Sequence, residues 1–94
     1  MKVEFSNKFY KKFKKLKKSA QFEKISKNFK ELLDCFESNK SIPSKFINHK
    51  LNDDKYYKDC WECHLLPDVL VIYQYIDNRA VILFINIGTH EQLF

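Results

Sequence analysis

Residues 60–87 read CWECHLLPDVLVIYQYIDNRAVILFINI, and this stretch decides the fold. Its three runs, Cys60–Leu66, Val69–Ile76 and Ala80–Ile87, are rich in β-branched and aromatic residues, which suit a pleated, half-buried surface. Asp77-Asn78-Arg79 separates the last two runs and suits a tight hairpin turn. Pro67-Asp68 interrupts the first two. Alternation along the first strand places Glu62, His64 and Leu66 on one face, and Cys63 and Leu65 on the other.

Upstream, the period changes from two to about 3.6. Phe9, Phe13, Leu16 and Ala20 recur at helical steps behind a cap at Ser6 or Asn7, with lysines filling the remaining faces. After a break near Ser19, a second helix carries the stripe Phe22, Ile25, Phe29, Leu32 or Leu33, and Phe36. Ser38–Ser41 is turn-like, and Pro43 ends any continuation. Val3–Phe5 is a short first strand, and Lys45–Asp59 a polar loop or short edge strand. The expected fold is α+β, a single domain over residues 1–94, with two N-terminal helices packed on a small antiparallel sheet. The sheet face away from the helices is then free to present His64 to a ligand.

Composition narrows the setting. The chain has 94 residues, 45% of them apolar, enough for one core but not two. It shows no signal-peptide pattern and no run long enough to span a bilayer, and its three cysteines make no disulfide framework. A reducing cytoplasm is the expected location, with no membrane partner. The net charge of +5, with Arg79 the single arginine, attracts polyanions such as nucleic acid, or an acidic protein. It equally suits a lysine-rich surface, so charge alone does not decide.

Several chemistries compete for the polar residues. Cys60-Trp61-Glu62-Cys63-His64 matches C-x-x-C-H, the attachment motif of c-type haem, but lies in a strand and lacks the export signal such proteins carry. A zinc site from Cys60, Cys63 and the histidines lacks a second ligand pair, and on a strand the two cysteines face opposite ways. The same alternation separates Cys63 from His64, so Cys35 and Cys63 read as buried structural residues rather than nucleophiles. No metal or cofactor is expected. General acid–base chemistry remains, because imidazole moves protons near neutral pH. Three histidines in a chain of this length also fit ordinary positions, and spacing alone leaves that open.

Three blocks taken together narrow it: His49-Lys50-Leu51; Glu62-Cys63-His64-Leu65-Leu66-Pro67-Asp68-Val69-Leu70-Val71-Ile72-Tyr73; and Gly88-Thr89-His90-Glu91-Gln92-Leu93-Phe94. With Phe9–Leu16 they resemble the YafQ branch of the RelE/ParE toxin superfamily across nearly the whole chain. The resemblance implies a RelE-like fold and a ribosome-dependent endoribonuclease that cuts messenger RNA, the toxin of a toxin–antitoxin pair. It implies His49, His64, Asp68 and His90 as the catalytic set, with Phe94 stacking on a base. His90 would be the acid at the 5′-oxygen, His49 or Asp68 the base, and His64 the group that orients or stabilises the phosphate. The implied partners are an antitoxin with an acidic, extended segment, the ribosome and mRNA.

Two positions depart from the family. Trp61 and Asn86 stand where many relatives carry arginine, whose planar fork grips phosphate at two points. Phosphate contacts would then fall to Lys50, Lys55 and Lys58. The competing readings are a weakened or inactive toxin that binds antitoxin or RNA without cutting, and, last, a gyrase inhibitor of the ParE type.

Overall fold

The computed structural model describes residues 1–52 and 55–94. In chain order these form β1 (Lys2–Phe5), α1 (Asn7–Leu16), α2 (Phe22–Glu37), a 3₁₀ turn (Ser44–Phe46), β2 (His49–Lys50), β3 (Trp61–Leu66), β4 (Val69–Ile76), β5 (Val81–Gly88) and α3 (His90–Leu93). One sheet runs in the order β1-β5-β4-β3-β2. Strands β2 to β5 pair antiparallel as expected, but β1 lies parallel to β5, from Lys2↔Val81 to Phe5↔Phe84. The sheet is therefore mixed. The first strand reaches β5 because the α1–α2 hairpin crosses the sheet, and it pairs with an edge that would otherwise be open.

Ser6 ties this crossover to the sheet. Its hydroxyl accepts from the Phe9 N–H at 3.0 Å, capping α1, and donates to the Ile85 carbonyl at 2.8 Å. Helix α1 ends at Leu16, so the expected fourth stripe position, Ala20, lies exposed in the inter-helix turn. The α2 stripe Ile25, Phe29, Leu32, Cys35 and Phe36 is buried. At the β4–β5 hairpin Asp77, Asn78 and Arg79 all take left-handed backbone angles, with φ of 52°, 55° and 68°. The Arg79 guanidinium lies 4.1 Å from the centre of the Tyr75 ring.

The sheet has two unlike faces. Toward the helices, Phe84 is surrounded by Phe5, Phe9, Phe29, Phe36 and Tyr73 at centroid distances of 5.1–5.9 Å. The other face, expected to be free, carries a smaller cluster of Tyr57, Cys60, Leu70, Ile72 and Leu93. The segment before β3 and α3 supply its lid.

Two register shifts distribute side chains between these faces. One lies between His64 and Leu66, and Leu66 packs with Leu65 on the helix side rather than beside His64. Inserting one residue into a strand reverses the alternation beyond it. The other shift, opposite Ile72 and Tyr73, sends Ile85 to the smaller cluster next to Asn86. Among the described residues, no helix is long and apolar enough to cross a membrane.

Candidate active site

A buried carboxylate organises the edge of the smaller face. Glu62 pairs with His49 across β2 and β3, and shares its face with His64 two residues on. Its Oε1 lies 2.9 Å from His64 Nε2, and its Oε2 lies 3.7 Å from His49 Nε2. The Glu62 side chain is only 7% exposed, against 22% for His64 and 49% for His49. Buried acids need partners, and here both are imidazoles. Sequence reasoning misses Glu62 as a site residue, although its place two residues before His64 is the signal for it.

His49 is held from behind as well. Its Nδ1 is 3.0 Å from the Ile47 carbonyl, and Ile47 has a left-handed backbone (φ 49°, ψ 50°), a conformation costly for a β-branched residue. Between them Asn48 reaches through to the helix side, where its Oδ1 accepts from the Tyr73 hydroxyl and, at 3.2 Å, from the Cys63 thiol. Burial pushes the Cys63 thiol up to about 12, and the Tyr73 hydroxyl is raised for the same reason. Cys63 is thus a neutral hydrogen-bond donor, not a thiolate nucleophile. Cys60 lies in the opposite cluster, which separates the two cysteines of the C-x-x-C-H motif.

The second part of the site is the end of the chain. Thr89 caps α3, its hydroxyl accepting from the Gln92 N–H while the Gln92 side chain accepts from the Thr89 N–H. His90 opens the helix, and its ring lies against that of Phe94, with centroids 4.9 Å apart. Phe94 meets Tyr57 edge-on at 5.3 Å. The Tyr57 hydroxyl donates to the Leu93 carbonyl and accepts from Asn86 Nδ2, each at 3.0 Å. Tyr57 therefore seats the C-terminal turn on the sheet, a role not visible from sequence.

Gly88 serves this turn by its lack of a side chain, not by backbone freedom. Its φ is not positive, so the bend does not require it. A Cβ at residue 88 would instead lie 2.7 Å from Gln92 Oε1, so glycine allows α3 to sit close against β5.

The register relates the two parts. His64 pairs with Leu70, and Leu70 with Gly88, so the His64 backbone and the strand leading to His90 are two inter-strand steps apart, about 10 Å. Asp68 is exposed in the β3–β4 turn and, among the described residues, makes no hydrogen bond or ion pair with the three histidines. Lys50, Lys55 and Lys58 are exposed; Lys50 pairs with Trp61, and alternation directs it to the side opposite His49. Trp61 also belongs to the helix side, stacked on Tyr73. Asn86 is on the histidine side but buried beneath Tyr57. A cleft of about 380 Å³, lined by His64 with Asn28, Lys45, Phe46, Ile47 and Pro67, opens beside the Glu62 pair. Among the described residues, no group of three or more His, Cys, Asp or Glu is placed to hold a metal ion.

Comparison with known proteins agrees with this architecture. A metal-bound toxin from Helicobacter pylori is 28% identical with a TM-score of 0.82, over 100% of this chain and 99% of that one. The toxin in the E. coli DinJ-YafQ complex is 27% identical with a TM-score of 0.79, over 98% and 96% of the two chains. The YoeB dimer from Staphylococcus aureus, 17% identical over 96% and 97% with a TM-score of 0.71, shares the fold. No curated protein matches the chain by sequence. The family model for the bacterial toxin of type II toxin-antitoxin systems, YafQ, matches residues 1–94, and the chain belongs to that family.

Proposed function

We propose that this toxin is a ribosome-dependent endoribonuclease that cuts messenger RNA by acid–base chemistry through the RNA's own 2′-hydroxyl. The observation that carries the reading is the buried Glu62 carboxylate facing both His49 and His64, on the sheet face that also seats His90 and Phe94. With Nδ1–H given to the Ile47 carbonyl, His49 keeps its lone pair on Nε2, the form a general base needs. It takes the 2′-OH proton, the 2′-oxygen attacks phosphorus, and the bond to the 5′-oxygen breaks. The charge gained by His49 then develops 3.7 Å from the Glu62 carboxylate, which stabilises it. This favours His49 over Asp68 as base. His90 protonates the departing 5′-oxygen, leaving a 2′,3′-cyclic phosphate. His64, oriented by Glu62, supports the phosphate, and Phe94 stacks on a neighbouring base. Lys50, Lys55 and Lys58 contribute charge around the RNA. No step calls for a metal.

The likeness to the E. coli toxin solved with DinJ supports an antitoxin partner for this chain too. The positive surface favours an acidic, extended segment.

One observation favours a second reading, a toxin that binds without cutting. Asn86 is occupied beneath Tyr57 and Arg79 is stacked on Tyr75, so no guanidinium stands at the site. Cell-free bacterial translation of a defined messenger, with cuts mapped by primer extension, separates the two. The expected result is codon-positioned, ribosome-dependent cuts that persist with a chelator and fall by about 10²-fold or more in His90→Ala. Absence of cuts from folded wild type would establish the non-cutting reading instead.

A further inference from the structure

The lysines expected to bind phosphate all belong to the region around β2 and β3, yet the structure concentrates unpaired positive charge elsewhere. Lys8, Lys12 and Lys15 stand at i, i+4 and i+7 along α1 and so share one flank of the helix. Lys12 and Lys15 line a cleft of about 210 Å³ between α1 and the end of β5, closed by Leu16, Ile87, Gly88 and Gln92. Among the described residues no carboxylate lines it, and the ion pairs leave all three lysines without an acidic partner. Lys12 is partly buried, and that burial, followed by the positive charges of Lys8 and Lys15, holds its ammonium below the ordinary lysine range. Like charges gathered without a counter-charge are unfavourable, and a bound anion removes that cost.

The position of the cleft indicates which anion. Each helical residue advances about 100°, so Gln92, on the cleft, faces away from the His90–Phe94 ring pair across a single helical turn. The cleft and the His90 ring are thus separated by about one helix diameter, about 10 Å. The cleft is several times the volume of a water molecule, about 30 Å³. A surface suited to a protein partner lies elsewhere on α1, at a wholly apolar recess of Phe5, Phe9, Tyr10, Phe13 and Phe29, where Phe5 is 45% and Tyr10 60% exposed.

We propose that Lys12 and Lys15, with Lys8 beside them, form a phosphate cleft that holds the backbone of the RNA strand on the far side of the C-terminal turn from His90. The proposal rests on the ribonuclease reading. It supplies, through α1, phosphate binding that Asn86 cannot provide.

The test uses His90→Ala toxin, in which cutting is silenced, and a short fluorescent single-stranded RNA titrated at several salt concentrations. In that background Lys12→Gln/Lys15→Gln is compared with Lys24→Gln/Lys27→Gln, a pair of equal charge on α2. Every phosphate of a single strand that a lysine no longer neutralises lowers the steepness of the fall of log K with log salt by about 0.7, so the cleft pair is expected to lower it by about 1.4. It should also weaken binding about tenfold at low salt, while the α2 pair leaves the slope nearly unchanged. Thermal melts of the cleft pair should match or exceed the parent's, because repulsion has been removed. Equal slopes for the two pairs would overturn the proposal. So would loss of binding to a polyglutamate peptide with RNA binding intact, which assigns the cleft to a protein partner. Wild-type cleavage in the translation reaction is read alongside. Cuts with an unchanged salt slope sink the cleft alone, and no cuts sink the ribonuclease reading and the RNA assignment with it.

Discussion

The two faces of the sheet are built by different physics. The helix side is a continuous apolar cluster in which aromatic rings meet each other, with polar contacts limited in number, such as the Asn48, Tyr73 and Cys63 group and Asn28 on the Leu65 carbonyl. The histidine side has a thin apolar layer, and its order depends on polar contacts: Glu62 with two imidazoles, and Tyr57 with Asn86 and the Leu93 carbonyl. Rings are held by area and tolerate small shifts. Hydrogen bonds are held by geometry and fix the direction in which a proton can move. Stability should therefore reside mainly on one face and chemistry on the other.

The sharpest way to break that division is to damage each face in turn. Phe84→Ala removes the ring that five others touch, and should cost about 3–5 kcal/mol in urea unfolding. A much smaller loss would mean that the helix side is not the principal core. Glu62→Gln keeps the shape and a carbonyl oxygen near His64 but removes the charge. Cleavage should fall by about 100-fold while the protein stays folded. If this variant unfolds and its remaining folded fraction cuts normally, Glu62 is structural and the division fails.

Alkali probes the polar group within the dry side. Cys63 has its folded value raised from 9.0 to about 12 by burial, so unfolding releases a thiol that ionises more readily. Its contribution to stability is complete below about pH 9 and is lost progressively toward pH 12. Urea midpoints measured across that range should drop less steeply in Cys63→Ser, which keeps a donor for Asn48 but does not titrate. Parallel curves would show that the thiol is not protected. The smallest effect is expected at Gly88→Ala, where the new methyl displaces the Gln92 side chain and breaks its half of the capping box, the bond from the Thr89 N–H, at about 1 kcal/mol. Cleavage should decline with it, since the same cap sets the turn bearing His90.

Local pattern made much of this legible. The strand runs at residues 60–87, the α2 stripe and the Ser6 cap follow from period and side-chain chemistry, and the blocks around His64 and His90 carried the family. What escaped was non-local. Nothing in Val3–Phe5 says that it will lie parallel to Ile82–Phe84. The two bulges moved Leu66 and Ile85 across the sheet, because one inserted residue inverts a period of two. Trp61 and Asn86 look like equivalent losses of arginine, yet one sits among helix-side aromatics and the other beneath Tyr57. Glu62 gains its meaning only once β2 brings His49 beside it.

The pairing of the first strand with the last also governs how the molecule is born. The Ser6 hydroxyl that caps α1 finds the Ile85 carbonyl 79 positions further on. A ribosome adding about 5–20 residues per second must run for several seconds between the two. Throughout that interval the nascent helices lack the strand that closes their aromatic cluster, and the turn bearing His90 does not yet exist. Closing so long a loop adds an entropic delay of its own. The chain consequently acquires its hydrophobic core and its complete histidine site in the same late event.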